Sequence, residues 1–180
     1  MTPAVFVDRD GILNVAVVRS GLPHPPTSAE ELKFVPQVRQ RLAELKRLGL
    51  LVVCVTNQPD VARRTVTRAA VDEINARVRA EMPLDDLVVC YHDDGDECDC
   101  RKPRPGLLLE AAGRLGIDLA RSYMVGDRWK DMACGSAAGC TTVFVDYGYS
   151  ELYQGPPANH ISPSAADAFE YVLSREQHRS

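Results

Sequence analysis

The sequence predicts an α/β fold, a doubly wound (Rossmann-like) parallel sheet with helices on both faces. Two observations lead to this prediction. Short apolar runs alternate along the chain with helical patterns, which is typical of strand–helix–strand units. The runs are continuous and do not alternate with polar residues, as expected for strands that are covered on both faces. The predicted strands cover 4–7, 50–55, 87–91, 123–125 and 142–145.

Capping residues mark the ends of the predicted helices. Gly49 is a stop signal after a segment whose apolar residues recur at three- and four-residue steps. Thr67 is suited to cap the next helix, and Pro105 and Gly116 frame the one after it. The predicted helices cover 38–49, 68–81, 106–115, 132–138 and a segment after Ser164.

Length, charge and hydropathy bound the function. A chain of 180 residues fits one domain, 1–180, whose core needs no disulfide support. Its 21 basic and 25 acidic side chains give a net charge of −4, which argues against a nucleic-acid-binding surface. No secretory segment opens the sequence, and no apolar run approaches the roughly 20 residues that cross a bilayer. We therefore expect a cytoplasmic monomer that acts on a small metabolite and binds neither nucleic acid nor membrane.

Four side chains of metal-ligand type lie within eleven positions, at Cys90, His92, Cys98 and Cys100. Three thiolates and one imidazole suit tetrahedral zinc. Because protein side chains fill all four positions, the predicted zinc is structural and not catalytic. The loop 90–102, called the zinc loop below, then fixes the position of two cations at its end, Arg101 and Lys102. The alternative is a disulfide or a set of inert thiols.

Acidic side chains follow two of the predicted strands. Asp8 and Asp10 come at the end of the first strand, where Gly11 allows a sharp turn that brings both into one crevice. Asp127 follows a later strand, with Asp131 one helical turn beyond it. Ligands of parallel sheets bind outside the carboxyl ends of the strands. Carboxylates gathered there imply a hard divalent cation, Mg²⁺, although Asp8 taken alone fits a helix cap equally well.

Lys102 and Thr56 supply positive charge and hydrogen bonds on the same edge of the sheet. Lys102 lies in a proline-containing loop, and Thr56 follows an apolar strand. With the carboxylates they predict phosphoryl transfer, in which Asp8 attacks phosphorus and Asp10 serves as general acid and then base. Lys102 and Thr56 would hold the phosphoryl oxygens. The alternatives are a solvated lysine and a threonine that only caps its strand.

Four segments of the chain resemble the four motifs of haloacid-dehalogenase-type phosphatases. They are 8–14, 56–58, 101–103 and 126–131, and they read DRDGILN, TNQ, RKP and GDRWKD. Their order and spacing cover about residues 4–146. With the zinc loop, the resemblance narrows to the branch that contains D-glycero-D-manno-heptose 1,7-bisphosphate phosphatase and histidinol-phosphate phosphatase. It implies a sugar phosphate as substrate, with histidinol phosphate as the alternative.

The resemblance also implies roles for individual residues. It makes Asp8 the nucleophile and Asp10 the acid and base, with Lys102 stabilising the phosphoryl group. It implies that Mg²⁺ is held by Asp8, the backbone carbonyl of Asp10 and Asp127. Zinc would take the four cysteine and histidine ligands of the zinc loop. It implies that Arg101 recognises the substrate, and Asn57, Gln58 and Arg128 are further candidate substrate-binding residues.

No segment is long enough to form a separate cap domain over the site. The predicted roof consists of the Pro- and Ser-rich loop 19–36 together with the zinc loop. Arg19 and His24 are candidate specificity contacts in this roof, and the alternative is that both are exposed loop residues without a role.

Other function classes stay open at the level of sequence. A receiver module that accepts a phosphoryl group on Asp8 and signals to a partner would need a long-lived phosphoenzyme, which Asp10 would shorten by activating water. A non-catalytic zinc-stapled binding domain leaves the carboxylates unexplained. A phosphatase of nucleic-acid ends fits an open site but conflicts with the acidic charge balance.

Overall fold

The computed structural model describes residues 1–179. The α-helices are α1 (Val38–Arg47), α2 (Arg68–Glu81), α3 (Gly106–Leu115), α4 (Trp129–Ala137) and α5 (Ala165–Gln177). The strands are β1 (Ala4–Val7), β2 (Val17–Arg19), β3 (Leu22–His24), β4 (Leu51–Asn57), β5 (Asp86–Cys90), β6 (Tyr123–Gly126), β7 (Thr141–Val145) and β8 (His160–Ser162). Within this part of the chain, no helix has both the length and the apolar character that a membrane crossing requires.

Six strands form one parallel sheet in the order β5-β4-β1-β6-β7-β8. The chain starts at the centre with β1, builds outward through β4 and β5, and then returns to the other side of β1. This strand order is that of a doubly wound fold, whose ligands bind at the switch point between the two halves. Here the switch point lies between β1 and β6. The predicted fold class is confirmed.

Helices cover both faces of the sheet, because successive strand residues point in opposite directions. In β1, Val5 and Val7 belong to an apolar cluster with side chains of α1, α2 and α5. Ala4 and Phe6 belong to a second cluster, which includes side chains of α3 and α4. Burying β1 on both faces explains why its four residues are all apolar.

The predicted helix ends agree with the capping contacts of the structure. The Thr67 side chain accepts a hydrogen bond from the Ala70 N–H, and Ser164 accepts one from Asp167 N–H. Helix α4 starts at Trp129, earlier than its small residues predict, because Asp131 accepts a hydrogen bond from the Arg128 N–H and caps the first turn.

Two elements of the structure were not predicted from the sequence. Strands β2 and β3 form an antiparallel hairpin over 17–24, which overlaps the start of the predicted loop 19–36. Strand β8 adds an edge to the sheet but spans three residues, with the polar residues His160 and Ser162 at its ends. Both elements are too short for a periodic pattern to be recognised.

Candidate functional site

The carboxyl ends of β1, β4 and β6 bring a buried lysine against two aspartates. Lys102 Nζ lies 2.8 Å from Asp8 Oδ1 and 2.7 Å from Asp131 Oδ1, and it donates to the Val55 carbonyl at 2.9 Å. The Lys102 side chain is 3% exposed, so these contacts replace the water that an ammonium group needs. The predicted meeting of Asp8 and Lys102 is observed. Asp131 is a further partner that the sequence had suggested only as additional negative charge.

Asp127 completes a cluster of three buried carboxylates. One oxygen each of Asp8, Asp127 and Asp131 lie within 4.8 Å of one another. Asp127 Oδ2 accepts a hydrogen bond from the Tyr149 hydroxyl at 3.0 Å, whereas Asp127 Oδ1 is buried without a hydrogen-bond partner among the described residues. An all-oxygen donor set with one buried, unsatisfied carboxylate oxygen fits a hard divalent cation such as Mg²⁺.

The electrostatics of the cluster point to the same ligand. Burial raises the pKa of Asp8 to about 7, and attraction by Lys102 offsets only part of this effect. Burial also raises the pKa of Asp127, and Asp8 and Asp131 add repulsion. Burial opposes the charge of Lys102, but the two carboxylates beside it outweigh this effect and raise its pKa. One ammonium group does not neutralise three carboxylates, so the cluster favours an additional cation.

Asp10 is held by a second buried cation. Arg9, the largest fully buried side chain among residues 1–179, donates to both oxygens of the Asp10 carboxylate, with Arg9 Nη2 3.0 Å from Asp10 Oδ2. Arg9 Nη1 also donates to Asn75 of helix α2 at 2.8 Å. Asn14 donates a further hydrogen bond to Asp10 at 3.0 Å. Arg9 therefore holds in position the carboxylate that is predicted to act as acid and base, and no role had been predicted for Arg9 from the sequence.

The two residues after Thr56 hold other site residues in place. Gln58 is 1% exposed and its amide donates both to Asp10 Oδ2 at 2.8 Å and to the Thr56 hydroxyl at 2.9 Å. Asn57 forms two hydrogen bonds with the Lys102 backbone, at 3.0 and 3.1 Å. The side chains predicted to bind substrate thus connect β4 to Asp10 and to the zinc loop. Asn57 also lines the cavity described below, and Gln58 does not.

The predicted zinc ligands converge. The distances that join Cys100 Sγ to Cys90 Sγ, Cys98 Sγ and His92 Nδ1 are 3.2, 3.4 and 3.3 Å. Cys90 Sγ lies 3.6 Å from His92 Nδ1 and 3.7 Å from Cys98 Sγ. A tetrahedral site with Zn–S bonds of about 2.3 Å has ligand–ligand edges of nearly this length. All six cysteines are free thiols, which does not favour the disulfide alternative.

A cavity of about 310 Å³ opens above Asp8 and Lys102. Its roof comes from the β2–β3 hairpin and the segment after it, where Leu22, Pro23, His24 and Pro25 line it. Its basic lining residues are Arg63, Arg101, Lys102, Arg128 and Lys130. The roof predicted from loop 19–36 is therefore present in part, as a hairpin. A cavity of this size suits a small ligand.

Three predicted substrate contacts have different surroundings. Arg101 lines the cavity, with its guanidinium donating to Asp94 at 2.8 Å. Arg128 also lines it and forms an ion pair with Glu151. Arg19 is exposed in β2 and is not among the residues that line the cavity. Of the two candidate specificity contacts in the predicted roof, the hairpin therefore presents His24 to the cavity and not Arg19.

Tyr149 is, like Arg9, a residue of this site that was not predicted from the sequence. Three tyrosines lie in the segment 147–153, called the tyrosine loop below, directly after β7. Asp8 and Asp127 were identified because each follows the end of a strand. The tyrosine loop also follows the end of a strand, so the same criterion could have identified it.

Comparisons with known proteins agree with this geometry. A model of the HAD-hydrolase-like family matches residues 99–168. The D-glycero-beta-D-manno-heptose-1,7-bisphosphate 7-phosphatase of Escherichia coli (strain K12) is 35% identical over 184 residues, which cover 96% of this chain and 88% of the relative. The chain belongs to the haloacid-dehalogenase-like phosphatases. The protein of the same name from Vibrio cholerae serotype O1 is 35% identical, covering 95% of this chain and 96% of the relative.

A solved structure supports the assignment of this chain to the haloacid-dehalogenase-like phosphatases. The D,D-heptose 1,7-bisphosphate phosphatase from B. bronchiseptica, complexed with magnesium and phosphate, superposes with a TM-score of 0.81 and 28% identity. The match covers 96% of this chain and 99% of that structure. The resemblance inferred from the four motifs is confirmed, and the chain is a phosphoric monoester hydrolase. This result excludes the receiver module and the non-catalytic zinc domain as its principal function.

Proposed function

We propose that this phosphatase removes a phosphate from a small sugar phosphate, D-glycero-D-manno-heptose 1,7-bisphosphate or a close relative of it, through an aspartyl-phosphate on Asp8. The observation that carries the proposal is the Asp8–Lys102 contact in a cavity of about 310 Å³, whose lining includes five basic and five acidic side chains. The names of the curated relatives support the choice of substrate.

The carboxylate cluster would hold Mg²⁺ through Asp8, Asp127 and the backbone carbonyl of Asp10. The buried Asp127 Oδ1 has no other partner among the described residues, which supports this ligand set. When bound, the cation neutralises phosphate charge, so that an anionic nucleophile can approach phosphorus. A relative of known structure was solved with magnesium and phosphate.

In the first step, an oxygen of Asp8 attacks phosphorus and the bond from phosphorus to the sugar oxygen breaks. Asp10 gives a proton to the leaving oxygen, which departs as the sugar hydroxyl. In the second step, Asp10 takes a proton from water, and the water oxygen attacks phosphorus. Inorganic phosphate leaves, and the Asp8 carboxylate is restored.

Two residues hold the phosphoryl oxygens during both steps. Lys102 offers a buried ammonium group next to Asp8, where its charge is weakly screened. Thr56 accepts a hydrogen bond from Gln58, so its own O–H remains to donate to a phosphoryl oxygen. Gln58 and Arg9 keep Asp10 close to the phosphoryl group before the proton is transferred.

Basic residues at the cavity wall would bind the rest of the substrate. Arg101 and Arg128 line the cavity beside Lys102, as the resemblance implied, and His24 reaches it from the hairpin. Each arginine is paired with a carboxylate, Asp94 for Arg101 and Glu151 for Arg128. These pairs keep the guanidinium groups in place for a phosphate or hydroxyl of the substrate.

The zinc loop has a structural role in this proposal. Zinc bound by Cys90, His92, Cys98 and Cys100 would fix the loop that ends in Arg101 and Lys102. We also propose that the enzyme is a single-domain monomer that works in the cytoplasm, the setting in which its six free cysteines stay reduced.

Release of inorganic phosphate by the purified protein tests the proposal. With Mg²⁺ present, we expect turnover of heptose 1,7-bisphosphate to exceed that of histidinol phosphate and of a panel of sugar monophosphates. The Asp8→Asn variant should lose about 10⁴-fold or more in kcat while remaining folded, because it removes the nucleophile and little packing. Asp72→Asn changes an exposed carboxylate of α2 and serves as the control. Near-normal activity of Asp8→Asn would refute the mechanism, and preference for histidinol phosphate would refute the substrate.

A further inference from the structure

We propose that Tyr149 is a positioning residue that orients the Asp127 carboxylate toward the bound cation. The inference rests on the proposed metal site, and it concerns a side chain that none of the four motifs contains. Tyr149 donates its hydroxyl proton to Asp127 Oδ2 at 3.0 Å.

The two oxygens of Asp127 have different environments. Oδ2 is occupied by Tyr149, whereas Oδ1 is buried and has no hydrogen-bond partner among the described residues. Because Asp127 is 2% exposed, bulk water does not satisfy Oδ1. The hydrogen bond from Tyr149 therefore selects which oxygen remains available for a cation.

Gly11 lies close to the same carboxylate. A Cβ atom placed on Gly11 would lie 1.9 Å from Asp127 Oδ2. The carboxylate is therefore in close contact with the backbone of the turn that follows Asp10. Contact with the Gly11 backbone and the hydrogen bond from the Tyr149 hydroxyl together restrict rotation of the carboxylate.

The tyrosine loop is itself anchored around the site. The Tyr147 hydroxyl donates to the Gly11 carbonyl at 2.9 Å, and the Ser150 N–H donates to the Gly21 carbonyl of the hairpin at 2.9 Å. Glu151 forms an ion pair with Arg128, the residue after Asp127. These three contacts on either side of Tyr149 give its hydroxyl a fixed position from which to orient Asp127.

Hydrogen bonds to a metal-binding carboxylate fix its direction, and their loss lowers metal affinity by about 10–100-fold. The Tyr149→Phe substitution removes only the hydroxyl and keeps the ring that lies beside Tyr147. The matched control is Tyr153→Phe, in the same loop, whose hydroxyl donates to the Pro156 carbonyl and not to a site residue.

The experiment titrates Mg²⁺ alone into the purified, zinc-containing full chain by calorimetry, for the wild type and both variants. We expect the Mg²⁺ dissociation constant to rise about 10-fold or more in Tyr149→Phe and to stay within about twofold of wild type in Tyr153→Phe. In activity assays, saturating Mg²⁺ should restore kcat of Tyr149→Phe, with KM for the sugar phosphate unchanged. Damage to the fold would lower kcat at every Mg²⁺ concentration.

The possible contrary results distinguish an error in the role of Tyr149 from an error in the proposed metal site. A folded Tyr149→Phe protein with wild-type Mg²⁺ affinity, or an equal loss in Tyr153→Phe, contradicts the positioning role. A loss of kcat that saturating Mg²⁺ does not restore also contradicts it. A wild-type protein that binds no Mg²⁺ contradicts instead the metal site of the proposed function.

Discussion

Lys102 Nζ lies 2.8 Å from Asp8 Oδ1, and both side chains are buried. A second lysine of the chain, Lys46, lies equally close to Asp85, at 2.7 Å, but about a third of its side chain is exposed. Exposed ion pairs contribute little to stability, whereas removal of one partner of a buried pair leaves an uncompensated charge. Because the N–O distances of the two pairs are nearly equal, comparing the pairs tests how burial changes the contribution of an ion pair to stability.

The Lys102→Met variant should be both inactive and less stable. We expect kcat to fall by about 10²–10³-fold, because the phosphoryl oxygens lose a buried cation. Asp8 and Asp131 also lose their shared partner, which should lower the free energy of unfolding by about 3 kcal/mol or more in the absence of Mg²⁺. Urea unfolding and phosphate release measure the two effects. Lys46→Met should cost at most about 1 kcal/mol and no activity. Equal stability of the two variants would contradict the prediction.

The Gly11→Ala variant should disrupt the metal site. Gly11 has φ +87°, and its added methyl group would collide with Asp127. Gly49 has nearly the same φ, +88°, with no atom within 4 Å of an added Cβ. Both substitutions carry a backbone strain of roughly 1–2 kcal/mol, but only Gly11→Ala should displace Asp127. We expect Gly11→Ala to lose Mg²⁺-dependent activity and Gly49→Ala to keep it. Similar activities at saturating Mg²⁺ would show that the turn absorbs the methyl group.

The sequence predicted the features of this site that depend on strand ends. Asp8 and Asp127 meet because parallel strands place their carboxyl ends along one edge, which is a property of the topology. The four predicted zinc ligands could also be identified from the sequence, because their spacing is local, and the structure brings them together. Directions of individual side chains were not predictable. Gln58 turns toward Asp10, away from the cavity, because a buried amide needs partners for its donors.

Loop conformation accounts for the other differences. The sequence could not show that Arg19 would lie in a hairpin that presents His24 to the cavity, because the register of a three-residue strand is set by its turn. Tyr149 reaches Asp127 from a segment 22 positions along the chain, and no local pattern encodes that contact.

Loss of zinc should reduce activity through the position of Lys102. Cys100 is two residues from Lys102, so we expect Cys100→Ser to lose bound zinc, to unfold at a lower temperature and to have a lower kcat. Cys140→Ser changes a buried cysteine outside the cluster and should retain one zinc per chain. Elemental analysis, thermal unfolding and phosphate release measure the three effects. A zinc-free Cys100→Ser protein with full activity would contradict this coupling.

Without Mg²⁺, the contribution of Asp8 to the stability of the protein should fall as the pH rises toward 7. Burial raises the pKa of Asp8 from 3.8 to about 7, so between these values Asp8 binds a proton more strongly in the folded chain than in the unfolded chain. The stabilisation is therefore complete below the unfolded pKa and is lost as the pH rises through the folded pKa. Urea unfolding across this range measures the slope. Asp8→Asn has no titrating group at this position and should show a smaller slope, and equal slopes in the two proteins would argue against a raised pKa at Asp8.

Arg9 connects the chemistry to a helix that lines no part of the cavity. Its buried guanidinium bridges Asp10 and Asn75 of α2. A small shift of α2 would therefore move Asp10, the proposed acid and base, even though every residue that lines the cavity stayed where it was. For this reason, the distance of a residue from the substrate does not predict how strongly its substitution affects this enzyme. Substitutions on the buried face of α2 should change activity, although they lie away from the cavity.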